Sequence, residues 1–275
     1  MSVNEFDFSD KDFQRVKAMV YQFAGIDLNE SKKNLVYNRL AKRIRTLGMS
    51  RFSDYLDYVE AQGEEEFVNL INAITTNLTF FFREIHHFEY LASHVIPHLL
   101  EKNKATKKIR IWSAGCSTGE EPYSLAIVLK EVVPAGWDAR VLATDLDTTV
   151  VDTAQNGVYN IERLKGVSEA RKKRWFLKGS GERSGLVKVK PELQQIIDFG
   201  QINLMNDWPI RDKIDVIFCR NVVIYFDKPT QSRLFNRYAD LLPEQGHLFI
   251  GHSESLYKVC DRFELLGQTI YRKIR

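Results

Sequence analysis

The chain has 275 residues, 39 Lys/Arg against 36 Asp/Glu for a formal net charge of +3, and 44% hydrophobic residues. This size holds one large domain or two modest ones, and the near-balanced charge and ordinary apolar content describe a globular protein rather than a disordered tail. No apolar run approaches the roughly 20 residues of a membrane-spanning helix, and a charge of +3 is weak for a nucleic-acid binder.

The start, Met1-Ser-Val-Asn-Glu-Phe-Asp-Phe8, lacks the basic and apolar parts of a secretory signal. Residues 9 to about 82 read as helical. Phe13, Val16, Val20 and Phe23 recur at helical spacing, and Gly25 is placed to stop that segment. Helices are predicted next over 31–47 with Gly48 behind, 52–61 with Gly63 behind, and 64–74. Together they form a small domain of four short helices. Residues 31–47 hold Lys32, Lys33, Arg39, Lys42, Arg43 and Arg45 and no acid. At about 100° per residue Lys32, Arg39 and Arg43 fall on one stripe, which is either a solvated face or a surface for an acidic partner helix. A bridging helix follows over about 85–101; His86 and His87 open it, where a solvated or capping role is the default.

From Ile109 onward β and α patterns alternate, which implies a mostly parallel sheet covered by helices. The run Ile109-Arg-Ile-Trp-Ser-Ala-Gly-Cys-Ser-Thr-Gly-Glu-Glu-Pro-Tyr-Ser124 is strand, small-residue loop and helix start. A second β run, 140–146, delivers Asp145 at its C-terminal end. Strand, glycine turn, helix, strand and terminal acid form a nucleotide-type site, the acid accepting from ribose hydroxyls. Gly115 and Gly119 are four apart, so the loop is neither the dinucleotide fingerprint nor a phosphate-binding P-loop. Glu120 and Glu121 also put carboxylates where a helix N-terminus would attract phosphate. This favours an adenosine cofactor without phosphate that carries a cation, as S-adenosylmethionine does. The plainer alternative is that a glutamate there only complements the helix dipole.

Residues 158–193 break the alternation. They contain Gly166, Gly179, Gly181 and Gly185, ten Lys/Arg against four Glu, and the strand-like Leu186-Val-Lys-Val-Lys190. This is long for a crossover and reads as an inserted subdomain with a β-hairpin, or as a solvated basic excursion. Further strands are predicted at 196–199, 215–219 and 247–250, a helix over 230–242, and two closing strands around Gly267. Cys116, Cys219 and Cys260 are odd in number and widely spaced, which indicates neither a disulfide framework nor a zinc site, and a reducing cytosol is the expected compartment.

Five motifs in order resemble the chemotaxis receptor glutamate methyltransferases of the CheR type. They are Thr75-Thr-Asn-Leu-Thr-Phe-Phe-Phe-Arg-Glu84, Trp112-Ser-Ala-Gly-Cys-Ser-Thr-Gly-Glu-Glu-Pro-Tyr-Ser124, Ala143-Thr-Asp-Leu-Asp147, Phe218-Cys-Arg-Asn-Val-Val-Ile-Tyr-Phe-Asp-Lys228 and Gly251-His-Ser-Glu254. The resemblance implies an α/β protein: an N-terminal helical receptor-recognition domain over 1–84, then a Rossmann-like S-adenosylmethionine-dependent methyltransferase domain over 85–275 with a small antiparallel β insert. It implies that Asn77, Thr79 and Arg83 contact the cofactor from the interdomain linker, and Glu121 and Asp145 from the first two strand ends. Asn203 and Leu204 would cap the adenine, with Arg220 and Asn221 lining the site. Gly115-Cys116 departs from the small alanines common there.

The implied reaction methylates receptor glutamates, yielding S-adenosylhomocysteine and a methyl ester, with no metal. A glutamate of pKa about 4.3 is ionised at neutral pH, so no general base is needed and catalysis rests on alignment. Arg83 is the first positioning candidate, its fork suiting a carboxylate of the substrate or of the cofactor; the bland alternative is an interdomain ion pair with Glu84 or another acid. Tyr225 sits at a strand end, where its ring would pack beside the sulfonium methyl and its hydroxyl would reach the incoming carboxylate; the plainer alternative is a core tyrosine. His252 has no role that the residues specify. The partners implied are the methylation helices of chemoreceptors, met by Lys32, Arg39 and Arg43, and for some members a receptor-tail peptide on the β insert. The protein would be cytoplasmic, recruited to receptor arrays. A methyltransferase acting on nucleic acid or on another protein is the rival, but Asn221-Val-Val-Ile-Tyr225 lacks the prolines of base-methylating enzymes. A cofactor-sensing scaffold is a third reading.

Overall fold

The computed structural model describes residues 5–75 and 77–275. Met1–Asn4 of the start and Thr76 of the first motif lie outside the described residues.

Helices α1 (Asp10–Ala24), α2 (Lys33–Thr46), α3 (Phe52–Gln62) and α4 (Glu64–Ile74) make the N-terminal unit. Ser9 and Asp12 cap α1 reciprocally, and Gly25, at φ 69°, closes it with its N–H on the Tyr21 carbonyl. The apolar stripe of α1 is buried at Phe13, Val16 and Val20 against Leu40, Ile44, Tyr55 and Leu70. Each such side chain removed from water contributes about 1.5–3 kcal/mol, which is what holds helices this short together. Phe23 is half-buried and stacks on Phe67 at 5.2 Å.

The helical reading to residue 82 ends early. From Asn77 the chain is irregular until α5 (His86–Tyr90), which passes through a π turn (Leu91–Val95) into α6 (Ile96–Lys102). Phe81, Phe82 and Phe88 pack in the core of the second unit, so the apolar packing changes hands before residue 84.

The second unit is β1 (Lys108–Ala114), α7 (Glu120–Val132), β2 (Asp138–Asp145) and α8 (Thr148–Asn156), then, after the insert, β6 (Ile197–Gln201), β7 (Val216–Cys219), α11 (Lys228–Leu241), β8 (His247–Ile250), β9 (Phe263–Gly267) and β10 (Ile270–Lys273). Its sheet has the order β6-β2-β1-β7-β8-β10-β9. Strands β6, β2, β1, β7 and β8 are parallel, and β10 runs antiparallel to both neighbours. The strand order reverses between β1 and β7, and a ligand crevice opens beyond the carboxyl ends of the strands at such a point.

The insert holds β3 (Val158–Asn160), α9 (Glu169–Trp175), β4 (Phe176–Lys178), β5 (Leu186–Val189) and α10 (Pro191–Gln194). It is a three-stranded antiparallel sheet rather than a single hairpin, in the order β3-β5-β4. The alternating run is therefore the middle strand: Val187 and Val189 face inward, Lys188 outward, and the free edges belong to β3 and β4. Among the described residues no helix is long and apolar enough to cross a membrane.

Candidate active site

A crevice opens beyond the carboxyl ends of β1, β2, β6 and β7, closed from above by Thr75, residues 77–83 and the end of α1. Asn77, Thr79, Arg83, Glu121, Asp145, Asn203, Leu204, Arg220, Asn221 and Tyr225 all line it. Ala24, Ile26 and Phe88 also line it, and no sequence motif singles them out.

The β1–α7 loop is shaped by its glycines. Gly115 and Gly119 sit at φ 97° and 98°, and a Cβ at Gly115 would come within 2.4 Å of Val222. The two glutamates that follow separate. Glu120 is buried away from the crevice, where it accepts from Thr118 Oγ1 at 2.6 Å and lies 3.4 Å from Arg163 of the insert. Glu121 lines the crevice. It accepts from Ser113 Oγ at 2.8 Å and from Arg220 Nη1 at 2.9 Å. Burial pushes its carboxyl upward, and the Arg220 guanidinium opposes that shift.

Asp145 is half-buried, its Oδ2 accepting from the Ser117 N–H at 2.8 Å and its Oδ1 from the Asp147 N–H at 3.1 Å. Burial pushes its pKa up to about 6 against these two hydrogen bonds. Each carboxylate oxygen retains acceptor capacity toward the crevice. Cys116 is buried, and burial holds its thiol well above the usual range, so it is a packing residue rather than a nucleophile.

Arg83 has no acidic partner within ion-pair distance among the described residues. Its Nη1 donates to the Leu78 carbonyl at 2.8 Å and its guanidinium lies 5.9 Å from the Phe80 ring. Glu84, the partner considered for it, turns elsewhere, to Arg220 and His252. Tyr225 is 38% exposed and so is not a core tyrosine. Its carbonyl accepts from the Asp27 N–H at 2.8 Å, and Tyr21 Oη donates to Asp227 at 2.8 Å, so the end of the N-terminal unit grips the loop after β7. Asn203 bonds the Phe23 carbonyl through Nδ2 at 2.7 Å and receives the Met205 N–H at 3.0 Å. Arg237 of α11 donates from Nη1 to the Leu204 carbonyl at 2.6 Å. The Leu204 turn is therefore fixed from both units.

Glu254 closes the fifth motif. Buried, it accepts from the Asn221 N–H at 3.0 Å, the Ile224 N–H at 3.2 Å and the Gly251 N–H at 2.5 Å. It holds the 221–225 loop from beneath, a role no local pattern signals. His87 is fully buried rather than solvated, its Nε2 on the Gln268 carbonyl at 2.9 Å.

The basic stripe is only partly a free face. Arg39 donates to the Thr75 carbonyl at 2.7 Å and to the Ile74 carbonyl, tying α2 to the interdomain linker. Arg43 forks onto Glu66, Nε to Oε1 at 3.0 Å and Nη2 to Oε2 at 2.6 Å, with Tyr55 Oη on the same carboxylate at 3.1 Å. Both are half-buried parts of the helical packing, whereas Lys32 is exposed.

Residues 77–272 match the family described as CheR methyltransferase, SAM binding domain, and residues 11–75 the CheR methyltransferase, all-alpha domain. The chain is similar to chemotaxis protein methyltransferase 2 of Pseudomonas aeruginosa, with 45% identity over 271 residues covering 97% of this chain and 94% of that protein. It is 44% identical to the chemotaxis protein methyltransferase of Salmonella typhimurium over 268 residues, 96% of this chain and 90% of the other. Against the Escherichia coli chemotaxis protein methyltransferase the identity is 43% over 268 residues, 96% and 91% of the two chains.

Proposed function

Because the chain belongs to the CheR methyltransferase family and is an S-adenosylmethionine-dependent methyltransferase, we propose that it esterifies glutamate side chains on the cytoplasmic methylation helices of membrane chemoreceptors. The observation that carries this reading is the convergence of ten residues from five separate segments on one crevice whose acids, Glu121 and Asp145, suit a cationic adenosine ligand.

The residues fit that ligand. A crevice bearing two carboxylates and a close backbone approach at Gly115 favours cations and hydroxyls over phosphate. Asp145 would hold the ribose hydroxyls; Asn203 and Leu204 would border the adenine. Asn77, Thr79, Arg83, Glu121, Arg220 and Asn221 would hold the amino-acid end. Bound there, S-adenosylmethionine supplies an electrophilic methyl group on a sulfonium.

The protein's own work is then alignment and exclusion of water. A substrate glutamate is ionised at neutral pH and needs no base. Arg83, at the crevice wall and with no acidic partner among the described residues, orients a carboxylate, and Tyr225 at the mouth flanks the reacting groups, its hydroxyl toward the incoming carboxylate. Exposed Lys32 contributes to the encounter with an acidic receptor helix, while Arg39 and Arg43 support that surface from within the fold. The insert's free edges, β3 and β4, would take a receptor-tail peptide as an added strand, which recruits the enzyme to receptor arrays. The test is transfer of radiolabelled methyl to chemoreceptor membranes and, in parallel, to RNA. Base-labile label in receptor supports the proposal; label in RNA, or base-stable label, overturns it.

A further inference from the structure

Glu84 is outside the crevice lining, yet its carboxylate meets three of the segments that build the site. Its Oε1 accepts from His252 Nδ1 at 2.8 Å, while Oε2 lies 3.3 Å from Arg220 Nη2 and 3.5 Å from His87 Nδ1. Its backbone is held in the left-handed region at φ 56°, an unfavourable place for a glutamate, so these contacts outweigh a local cost. Burial works against its charge, but the His252 hydrogen bond and the Arg220 charge prevail and bring the carboxyl down to about 2. Glu84 is therefore ionised.

The cation at the centre of this cluster is Arg220, whose side chain is 2% exposed. Nη1 pairs with Glu121 at 2.9 Å, Nη2 faces Glu84 and the Arg83 carbonyl, and Nε has no hydrogen-bond partner among the described residues. The guanidinium is thus held at its two ends, between one acid that lines the crevice and one that does not. Ligand atoms of Glu84, His86 and His87 also lie within 4.8 Å of one another, as around a metal ion, but the guanidinium already faces that carboxylate and repels a second cation.

The charge balance has a consequence. With Arg220 alone, Glu121 would be neutralised; with Glu84 behind the guanidinium, the three groups sum to one negative charge. We infer that Glu84 is a positioning residue that offsets Arg220, so that the cluster keeps one net negative charge whose field favours a sulfonium in the crevice. This rests on reading the crevice as an S-adenosylmethionine site. The inference concerns the preference for the sulfonium form over the demethylated product, whose sulfur is uncharged. The zwitterionic amino-acid end is common to both ligands and cancels in their ratio, so the ratio reads the sulfonium charge alone.

The experiment is calorimetric titration of S-adenosylmethionine and S-adenosylhomocysteine into the wild type, Glu84→Gln and Glu84→Asp, near neutral pH and low salt. In Glu84→Gln the affinity for S-adenosylmethionine should fall about fivefold further than that for S-adenosylhomocysteine, the order expected for one charge acting through ~10 Å of partly polar protein. Glu84→Asp, which keeps the charge but withdraws it, should show a smaller shift in the same direction. A merely structural role would weaken both ligands equally. An unchanged ratio in folded Glu84→Gln overturns the inference, and if that variant does not fold, an unchanged ratio in Glu84→Asp does so. A wild type that binds neither ligand overturns the crevice reading as well.

Discussion

Replacing Asp145 with alanine isolates the group that the account assigns to the ribose. The carboxylate is already oriented by the Ser117 and Asp147 N–H groups at 2.8 and 3.1 Å, so its remaining acceptor capacity meets a ligand without reorganisation. A hydrogen bond to a charged acceptor contributes about 1.5–3 kcal/mol, and two of them at a half-buried site give roughly 2–4 kcal/mol after allowance for solvent. Cofactor affinity should fall about thirtyfold to several hundredfold. The fold should survive, because burial holds this pKa up at about 6 and the ionised group does not stabilise the free protein at neutral pH. The sign is that of a raised carboxyl: any stability it lends is present below the unfolded value of about 3.9 and is lost as pH rises through 6. Ligand binding works the other way, since hydroxyl donors favour the ionised form. Wild-type affinity should be level above about pH 7 and weaken by up to tenfold per unit below about pH 6, with Asp145→Asn abolishing that step. Calorimetry in which Asp145→Ala stays within twofold of wild type would refute the assignment.

Arg83→Ala and Tyr225→Phe should slow methyl transfer to receptor while the pH–rate profile shows no side-chain base titrating between about pH 6.5 and 8.5; a steep bell in that window, or full activity without Arg83, would contradict a positioning mechanism. Arg43→Glu should cost about 3–5 kcal/mol by leaving two acids facing each other, read as a large drop in melting temperature, whereas Lys32→Glu should leave the melting temperature unchanged and slow only the receptor reaction at low salt. Burial opposes the charge of Glu66, but its bonds to Arg43 and Asn69 keep its pKa below the ordinary range. Stability from this pair is therefore full above the unfolded value of about 4.3 and is lost as pH falls from there through the lowered folded-state value, as thermal melts would read. Labelled receptor-tail peptides should bind this protein and bind more weakly when the β3 and β4 edges are substituted; failure of every cognate tail, with methylation intact, would leave the insert a structural flap.

Much of this was legible in the sequence because the signals are local. Gly25 ends α1, as its spacing implied, and the alternation after Ile109 gives the parallel sheet. Asp145 falls at a strand end, where sites of parallel sheets lie, whereas Arg220 and Asn221, just beyond another strand, were expected in the site only from the family resemblance. What was missed is non-local. A helical projection places Arg39 and Arg43 on one stripe of α2 but cannot show that the linker carbonyls and Glu66 lie across from them. The third strand of the insert, Val158–Asn160, is too short to carry a period. Glu254 and Glu84 act across 33 and 168 residues of sequence, on the Asn221 N–H and on His252, and nothing near them announces either contact.

The measurement that bears most directly on the central claim is tandem mass spectrometry of receptor peptides after incubation with this protein and S-adenosylmethionine. The account predicts one added methylene unit on glutamates of the cytoplasmic helices, removed by mild base and much reduced in the Asp145→Ala and Arg83→Ala variants. Methyl groups on lysine, arginine or a backbone terminus, or base-stable label that persists without Arg83, would contradict it.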